Sequence, residues 1–256
     1  MKTLAKTIAP LVAAAAMQLC GTAHAAAVLT HDYQLNGSLA DAFGGPSLVA
    51  LGGSLTGDGR YAFGPNQGLK LTGGLDNTSV WSIDFRASYS SLSGTWKKLV
   101  DFQNLATDAG LYFVANGNGN GLQYYPSAAG ASQIDTGTDY TIALTRDASN
   151  ALRGYVNGTL QWTLTAAGGA SAAVNDSVSA NNILHFFVDD FPTGQREAQG
   201  GSVDFIRIYS GVLTDAEVRV LDQGGSVGNN VPEPASLALV GLAVVGMGAA
   251  RRARKA

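Results

Sequence analysis

The chain has 256 residues, of which 46% are hydrophobic and only 14% charged, with 33 glycines and a single cysteine. Globular proteins contain about 25% charged residues, so this chain is poor in charge and rich in turn-forming residues. Between residues 26 and 230 the acidic residues outnumber the basic ones by eight. Such a segment repels phosphate, which argues against nucleic acid as a partner. The cysteine, Cys20, precedes this segment, which therefore has no disulfide and no thiolate metal site.

Residues 1–25 have the pattern of a secretory signal peptide. Lys2 and Lys6 precede an apolar run over residues 8–17, and an A-x-A cleavage site ends at Ala25. An apolar run of this length is too short to span a bilayer core of about 30 Å, so it does not predict a transmembrane anchor. The N-terminus therefore predicts export.

The C-terminus has three parts in order. A Pro-Glu-Pro triplet is followed by an uncharged apolar stretch over residues 235–250 and then by a basic cluster. As a helix, the stretch would be roughly 24 Å long and would cross a membrane with its basic end in the cytoplasm. The alternative is a plain tail anchor. The residues that define this motif are Pro232, Glu233, Pro234, Arg251 and Arg252.

Residues 231–256 resemble the PEP-CTERM sorting signal of Gram-negative bacteria. The resemblance implies that an exosortase, a membrane transpeptidase, recognises and processes the tail. It also implies a protein of the cell envelope, surface or extracellular matrix that residues 235–250 anchor in the membrane before processing. Residues 224–230, which are rich in Gly, Ser and Asn, are predicted to be a flexible linker to this signal.

The middle of the chain shows the two-residue period of β-strands. From Trp81 to Ala87 apolar and polar residues alternate, which places the apolar set in a core and predicts that Ser82, Asp84 and Arg86 face water. Residues 140–146 repeat the pattern. Further strands are predicted over residues 29–35, 48–51, 69–72, 98–102, 111–115, 122–125, 183–188 and 203–209.

Two local motifs predict a hairpin turn and the start of a helix. Asn157-Gly158 tolerates the positive φ angles of a type I′ turn and predicts a hairpin between residues 153–156 and 159–164. After the last strand, Thr214 and Glu217 form a capping box that predicts a short helix. The pattern as a whole predicts an all-β fold, a two-sheet antiparallel sandwich with a C-terminal capping helix.

This order resembles the laminin-G-like, concanavalin A-like jelly roll over about residues 28–222. The segments that show it are residues 31–38, 81–85, 140–146, 154–158 and 203–218. The resemblance implies one jelly-roll domain over residues 26–223. Its motifs specify the fold better than the ligand, and they favour an extracellular polysaccharide or a surface protein as partner. A matrix-structural protein without a specific ligand is the alternative.

Some concanavalin A-like proteins are glycoside hydrolases, which need two carboxylates flanking the scissile bond. The predicted domain has only two glutamates, and Glu217 is already used as a cap. We therefore expect no enzyme and no catalytic residues. A hydrolase or lyase on the same fold is the alternative, with Asp189 or Asp190 paired with Asp204.

One acidic loop is a candidate calcium site. Asp189, Asp190 and Glu197 could supply the hard oxygen ligands that Ca²⁺ takes. Laminin-G-like domains often carry a loop-borne Ca²⁺, so the resemblance makes this cofactor relevant. The alternative is that the two aspartates end a strand at an exposed sheet edge and pair with Arg196.

An Asn-Gly run followed by two tyrosines is the candidate ligand surface. Asn116 and Asn118 would offer hydrogen-bonding groups, and Tyr124 or Tyr125 an aromatic platform. Consecutive strand residues point to opposite faces, so one of the two tyrosines should be exposed. The alternative is an ordinary hairpin loop with Tyr125 at its rim.

Overall fold

A computed structural model of the chain describes residues 26–115, 121–165 and 182–227. The chain divides into a compact unit of residues 27–230 and a second unit of residues 1–26 and 231–256, which lies almost wholly outside the described residues. The larger unit consists of two antiparallel β-sheets, which confirms the predicted all-β sandwich. The predicted signal peptide and sorting helix lie outside the described residues.

The first sheet, called sheet A, contains eight strands. In spatial order seven of them are β13 (Thr159–Leu164), β12 (Leu152–Val156), β11 (Tyr140–Arg146), β6 (Trp81–Tyr89), β15 (Gly201–Ser210), β4 (Tyr61–Phe63) and β3 (Ser54–Leu55). The eighth, β1 (Val28–Tyr33), also pairs with β15, beside the half that β4 leaves open. The sequence patterns missed β3 and β4, which are too short to show an alternation.

The second sheet, sheet B, contains seven strands. Their order is β10 (Ala128–Ala129), β9 (Gly121–Tyr125), β8 (Gly110–Val114), β7 (Trp96–Asp101), β14 (Ile183–Phe186), β5 (Gly68–Thr72) and β2 (Val49–Leu51). Strand β7 begins two residues earlier than predicted, and this difference matters because it adds Trp96 to the sheet. The two-residue strand β10 was not predicted.

The core lies between the two sheets. As the alternation of β6 predicts, Trp81 and Phe85 are buried in it. Trp81 stacks on Phe102 with ring centroids 5.4 Å apart, and Phe85 meets Phe186 edge-on at 6.1 Å. These contacts join the two sheets, and burying such rings is the main favourable contribution to folding.

The predicted hairpin and helix are both present. Asn157 and Gly158 have φ angles of 47° and 69°, the positive pair that a type I′ turn requires. The helix, α1, covers Asp215–Asp222. Thr214 Oγ1 accepts a hydrogen bond from the Glu217 amide at 3.3 Å, and the Glu217 carboxylate accepts one from the Thr214 amide at 2.7 Å.

The outer face of sheet A differs from the prediction. Ser82 and Asp84 are fully buried, although the alternation of β6 places them in water; only Arg86 of that set is exposed. The reason is that a second apolar cluster covers this face. It consists of Ala27, Ala143, Tyr155, Tyr209, Leu213, Val218 and Leu221, the last two on α1.

Candidate functional site

Three aromatic side chains meet on the outer face of sheet B. Trp96 of β7, Tyr112 of β8 and Tyr125 of β9 come from adjacent strands, and we call them the aromatic triad. The ring of Trp96 lies 5.5 Å from that of Tyr112 and 5.3 Å from that of Tyr125, and the two tyrosine rings are 6.4 Å apart. The interplanar angles of 77–80° are the edge-to-face arrangement that aromatic quadrupoles favour. Trp96 and Tyr125 are partly exposed, whereas Tyr112 is buried.

Lys98 lies beside the triad and is fully buried. It is two residues from Trp96, so both point to the same face of the sheet, and it is paired across the ladder with Tyr112. Its ammonium contacts the Tyr112 hydroxyl at 2.7 Å, Asp190 at 2.9 Å and Asp101 at 3.5 Å. A buried charge is tolerated only when it is paired, and here two carboxylates and a hydroxyl provide the pairing.

Tyr112 joins the aromatic rings to the carboxylates. Its hydroxyl oxygen lies 2.9 Å from Asp108 and 3.1 Å from Asp190. A phenol has one proton to donate. Because Asp190 already accepts a hydrogen bond from Lys98, the phenolic proton is available to Asp108. Burial, followed by the charges of Asp190 and Asp108, raises the pKa of Tyr112, so the hydroxyl stays protonated.

The pKa values of the carboxyl groups in this cluster are shifted in different directions. Burial pushes the pKa of Asp190 upward, but the hydrogen bond and charge of Lys98 outweigh it and hold that pKa below its usual value. Burial raises the pKa of Asp101, and Lys98 offsets only part of the increase. Burial also raises the pKa of Asp108, against the hydrogen bond from Tyr112. Asp190 is thus the carboxylate that stays ionised with Lys98.

Glu197 completes the site from the loop after β14. Its carbonyl accepts a hydrogen bond from the Lys98 amide at 2.7 Å, and its own amide donates to Asp189 at 2.8 Å. These bonds hold the partly exposed side chain beside the cluster. Burial and the neighbouring carboxylates of Asp108 and Asp189 raise the pKa of Glu197 to about 7.

The structure brings together the three residues of the predicted calcium site, and one of them, Asp190, contacts the Lys98 ammonium. Asp189 and Asp190 are fully buried, so the alternative of an exposed edge paired with Arg196 is wrong, because Asp190 pairs with Lys98. Within residues 26–115, 121–165 and 182–227, no group of three His, Cys, Asp or Glu side chains is arranged to hold a metal ion. Lys98 contacts an oxygen of Asp190, one of the three candidate ligands, and calcium binding stays a prediction.

The structure places the two tyrosines of the predicted ligand surface on opposite faces of β9. Tyr124 is fully buried in the core, where its ring lies 6.3 Å from that of Trp162, so its assignment to a ligand surface is wrong. Tyr125 points to the opposite face and is partly exposed, as the alternation predicts. Asn116 and Asn118 lie outside the described residues, as do Pro232, Glu233, Pro234, Arg251 and Arg252 of the sorting motif.

Sequence reasoning missed the residues at the centre of the site. Trp96, Lys98, Tyr112 and Asp108 were not selected, although the Trp-x-Lys spacing on β7 places two of them on one face. No pattern in the sequence shows that β7, β8 and β9 are neighbours. The suggested carboxylate pair of a hydrolase is not formed either, because Asp204 lies on β15 of sheet A, whereas Asp189 and Asp190 follow β14 of sheet B.

The comparison with protein families identifies the sorting motif at the C-terminus. Residues 230–255 match the PEP-CTERM protein-sorting motif. The chain carries a PEP-CTERM sorting signal. It is therefore an exported protein that is anchored at the cell envelope and processed by an exosortase, a membrane transpeptidase. None of the helices in the described part of the chain is long and apolar enough to span a membrane, and the predicted sorting helix is not in that part.

Solved structures of other proteins that are similar to this chain support the jelly-roll fold. Domain 4 of the extracellular GH43 arabinanase AbnA from Geobacillus stearothermophilus, in complex with arabinotriose, is 20% identical, with a TM-score of 0.58 over 77% of this chain and 100% of that domain. A sialidase of Trypanosoma rangeli is 13% identical, with a TM-score of 0.57 over 79% of this chain and 34% of the sialidase. The chain thus spans about a third of that enzyme. No curated protein matches the chain by sequence.

Proposed function

We propose that this domain is a laminin-G-like, non-catalytic binding module for an extracellular glycan, presented at the bacterial surface or in its matrix by the sorting signal. The observation that supports the proposal is the aromatic triad next to Lys98 and its neighbours Asp101, Asp108 and Asp190, which we call the Lys98 cluster. Partly exposed Trp96 and Tyr125 offer rings on which a sugar can stack, and Asp108 and Glu197 offer hydrogen-bond acceptors. Ligand sites typically combine apolar and aromatic surface with a few fixed polar groups.

The surroundings of the site support a preorganised surface. The Asp101 carboxylate accepts hydrogen bonds from the Gln103 and Leu105 amides at 3.0 and 2.8 Å. Asp190 accepts one from the Thr193 amide at 3.0 Å. These bonds hold the loops after β7 and β14 against the Lys98 cluster, so little ordering would be needed when a ligand binds. The arabinotriose complex of the similar arabinanase domain is consistent with a sugar ligand on this fold.

The experiment is a glycan-array screen of the exported protein, with Ca²⁺ and with EDTA, comparing wild type with Tyr125→Ala and Trp96→Ala. We expect binding that either variant weakens by about tenfold or more, since buried aromatic anchors often contribute more than 1–2 kcal/mol. Phe43→Ala is the control, because it removes an exposed aromatic ring from the loop between β1 and β2.

The outcomes separate the alternatives. Binding that is lost in EDTA would support the calcium prediction. If no glycan on the array binds, the proposal is contradicted, and a surface-protein partner or a matrix-structural role becomes the favoured function. Glycan binding that Phe43→Ala weakens as much as Tyr125→Ala would place the ligand elsewhere.

One observation favours a hydrolase as the second candidate. The partly exposed Glu197 has a pKa raised to about 7, whereas Asp190 is held ionised, and carboxyl groups with separated pKa values are typical of glycosidase sites. Asp190 is fully buried, so partly exposed Asp108 would have to be the second carboxyl group, and burial raises its pKa as it raises that of Glu197, which argues against this candidate. Release of shorter sugars from a bound glycan, abolished by Glu197→Gln, would favour this candidate over pure binding.

A further inference from the structure

The surface beside the aromatic triad has more negative charge than its counter-charge balances. Five carboxyl groups surround this region, and the only ammonium among them in the described residues is that of Lys98. The five are Asp101, Asp108, Asp189, Asp190 and Glu197. Lys98 contacts Asp190 and Asp101, whereas the pKa of Glu197 is raised by burial and by the charges of neighbouring aspartates, Asp108 first. The two that reach the surface are Asp108 and Glu197.

The buried carboxylate of Asp189 is only half satisfied by the residues that the structure describes. The Asp189 side chain is fully buried, and its Oδ2 accepts hydrogen bonds from Thr193 Oγ1 at 2.7 Å and the Glu197 amide at 2.8 Å. Its Oδ1 has no hydrogen-bond partner within the described residues. The charge of Asp189 acts on both Asp108 and Glu197, so the carboxylate faces the same cluster. Buried polar atoms without a partner are rare and require an explanation.

The aromatic triad independently favours a cation. The Lys98 ammonium lies 4.4 Å from the centroid of the Tyr112 ring, so one ring of the triad already contacts a positive charge. Trp96 and Tyr125 present partly exposed rings next to it. The negative face of an aromatic ring attracts a cation, and Trp attracts it most strongly among the aromatic residues.

We infer that the glycan bound at the aromatic triad is an amino sugar polymer with free, protonated amino groups, held by Asp108, Glu197 and the faces of Trp96 and Tyr125. This inference rests on the proposed glycan-binding function and names the chemical class of its ligand. A neutral sugar would fill the same surface without relieving the repulsion among the carboxylates. An ammonium group would neutralise that repulsion, because opposite charges within about 4–6 Å favour each other's ionised forms.

The site is selective because of charge, so a matched pair of ligands tests it. Oligomers of glucosamine and of N-acetylglucosamine of equal length share one backbone and differ in whether the amino group is charged. Calorimetry near pH 7 with the full exported chain in detergent should show that the glucosamine oligomer binds about tenfold more tightly, a difference of about 1.4 kcal/mol. Added salt should weaken this binding and leave that of the acetylated oligomer nearly unchanged.

Variants identify the groups responsible. Glu197→Gln removes one carboxyl group from the site and should abolish most of the preference for the glucosamine oligomer. Asp135→Asn is the control, because Asp135 is exposed on the loop between β10 and β11 and its replacement removes a carboxyl group away from the site. The salt dependence of the wild-type protein gives a second test that does not depend on the folding of Glu197→Gln.

Three results would overturn the inference. Equal affinity for the two oligomers, a preference that salt does not reduce, or a preference that Glu197→Gln leaves intact would each show that charge does not select the ligand. If the acetylated oligomer or another neutral glycan binds at Trp96 and Tyr125, the proposed function stands and only the inference fails. If no glycan binds at all, both fail.

Discussion

The outer faces of the two sheets bury acidic residues in opposite ways. On sheet A, Asp84 is fully buried beneath the apolar cluster that α1 completes, and neither of its carboxylate oxygens has a hydrogen-bond partner within the described residues. Arg207 stands opposite Asp84 on β15, but its guanidinium lies 4.2 Å over the ring of Phe205 and contacts Asp32 at 3.4 Å. On sheet B, Asp190 is equally buried but is ionised against Lys98.

The difference shows which face is suited to a ligand. Burial raises the pKa of Asp84 to about 7, against the charge of Arg207, so the group is neutral over most of the acidic range and behaves as a packing residue. The Lys98 cluster instead remains charged and continues into partly exposed groups, Asp108 and Glu197. A closed apolar face stabilises the fold, whereas a charged and partly open face can recognise a partner.

The largest effect is expected from removing the counter-charge of sheet B. Lys98→Met leaves Asp190 and Asp101 buried without their ammonium. Loss of one partner of a buried ion pair destabilises a protein by about 3–5 kcal/mol, and urea unfolding near pH 7 would measure it. The loss of stability should decrease as the pH falls, because the two carboxylates left without Lys98 then take up protons.

Lys70→Met is the matched control for this variant. Lys70 lies on β5 of the same sheet and is only partly buried. We expect it to change the free energy of unfolding by less than about 1 kcal/mol, as is usual for groups outside buried networks. Equal losses in the two variants would mean that the Lys98 cluster has no special role in stability.

Asp84→Asn tests the opposite situation on sheet A. Between about pH 4 and pH 7 the folded protein keeps a proton on Asp84 that the unfolded chain has released, so stability falls as the pH rises. Above pH 7 the destabilisation that comes from ionising the buried Asp84 is complete and is on the order of 4 kcal/mol. The asparagine variant should therefore be about as stable as wild type near pH 4 and clearly more stable near pH 8.

Unfolding curves of Asp84→Asn and wild type across this pH range give the measurement. Asp76→Asn, at an exposed position before β6, is the control and should leave the pH dependence of stability unchanged. An asparagine variant whose stability falls with pH as steeply as that of wild type would show that Asp84 is not the group that titrates.

A smaller effect is expected at the helix that closes sheet A. Thr214→Ala removes the side-chain acceptor of the capping box at the start of α1. Loss of such a cap costs about 1 kcal/mol. Thermal unfolding would detect the change, with Ser226→Ala, an exposed position after the helix, as the control. No difference between the two variants would show that α1 is held by the packing of Val218 and Leu221 alone.

Local patterns were sufficient for the fold class and for several of its elements. The alternation of residues 140–146 predicted β11 with its observed bounds, because a two-residue period is set by the backbone itself. The Asn157-Gly158 turn and the Thr214–Glu217 box were equally predictable, since each depends on residues at most three apart. The sorting signal at the C-terminus is likewise a contiguous motif, and the family comparison confirms it.

The candidate site could be predicted only in part. The loop of Asp189, Asp190 and Glu197 was selected for its density of carboxylates, and it does lie in the site. Its chemistry was interpreted as calcium binding because the sequence does not show that Lys98, more than ninety positions away, points into the same cluster. Tyr125 was selected for its strand position, and its aromatic neighbours were missed for the same reason.

The sequence by itself determined the strand periods, the turn, the helix cap and the C-terminal sorting signal, because each is encoded by neighbouring residues. Only the tertiary structure decided which polar residues are buried. Asp84 and Lys98 each occupy an outward position of a strand, and both are fully buried because other segments cover the outer faces of their sheets. Whether such a group becomes neutral or ionised depends on long-range pairing, since a charge in a low-dielectric interior is stable only beside an opposite charge.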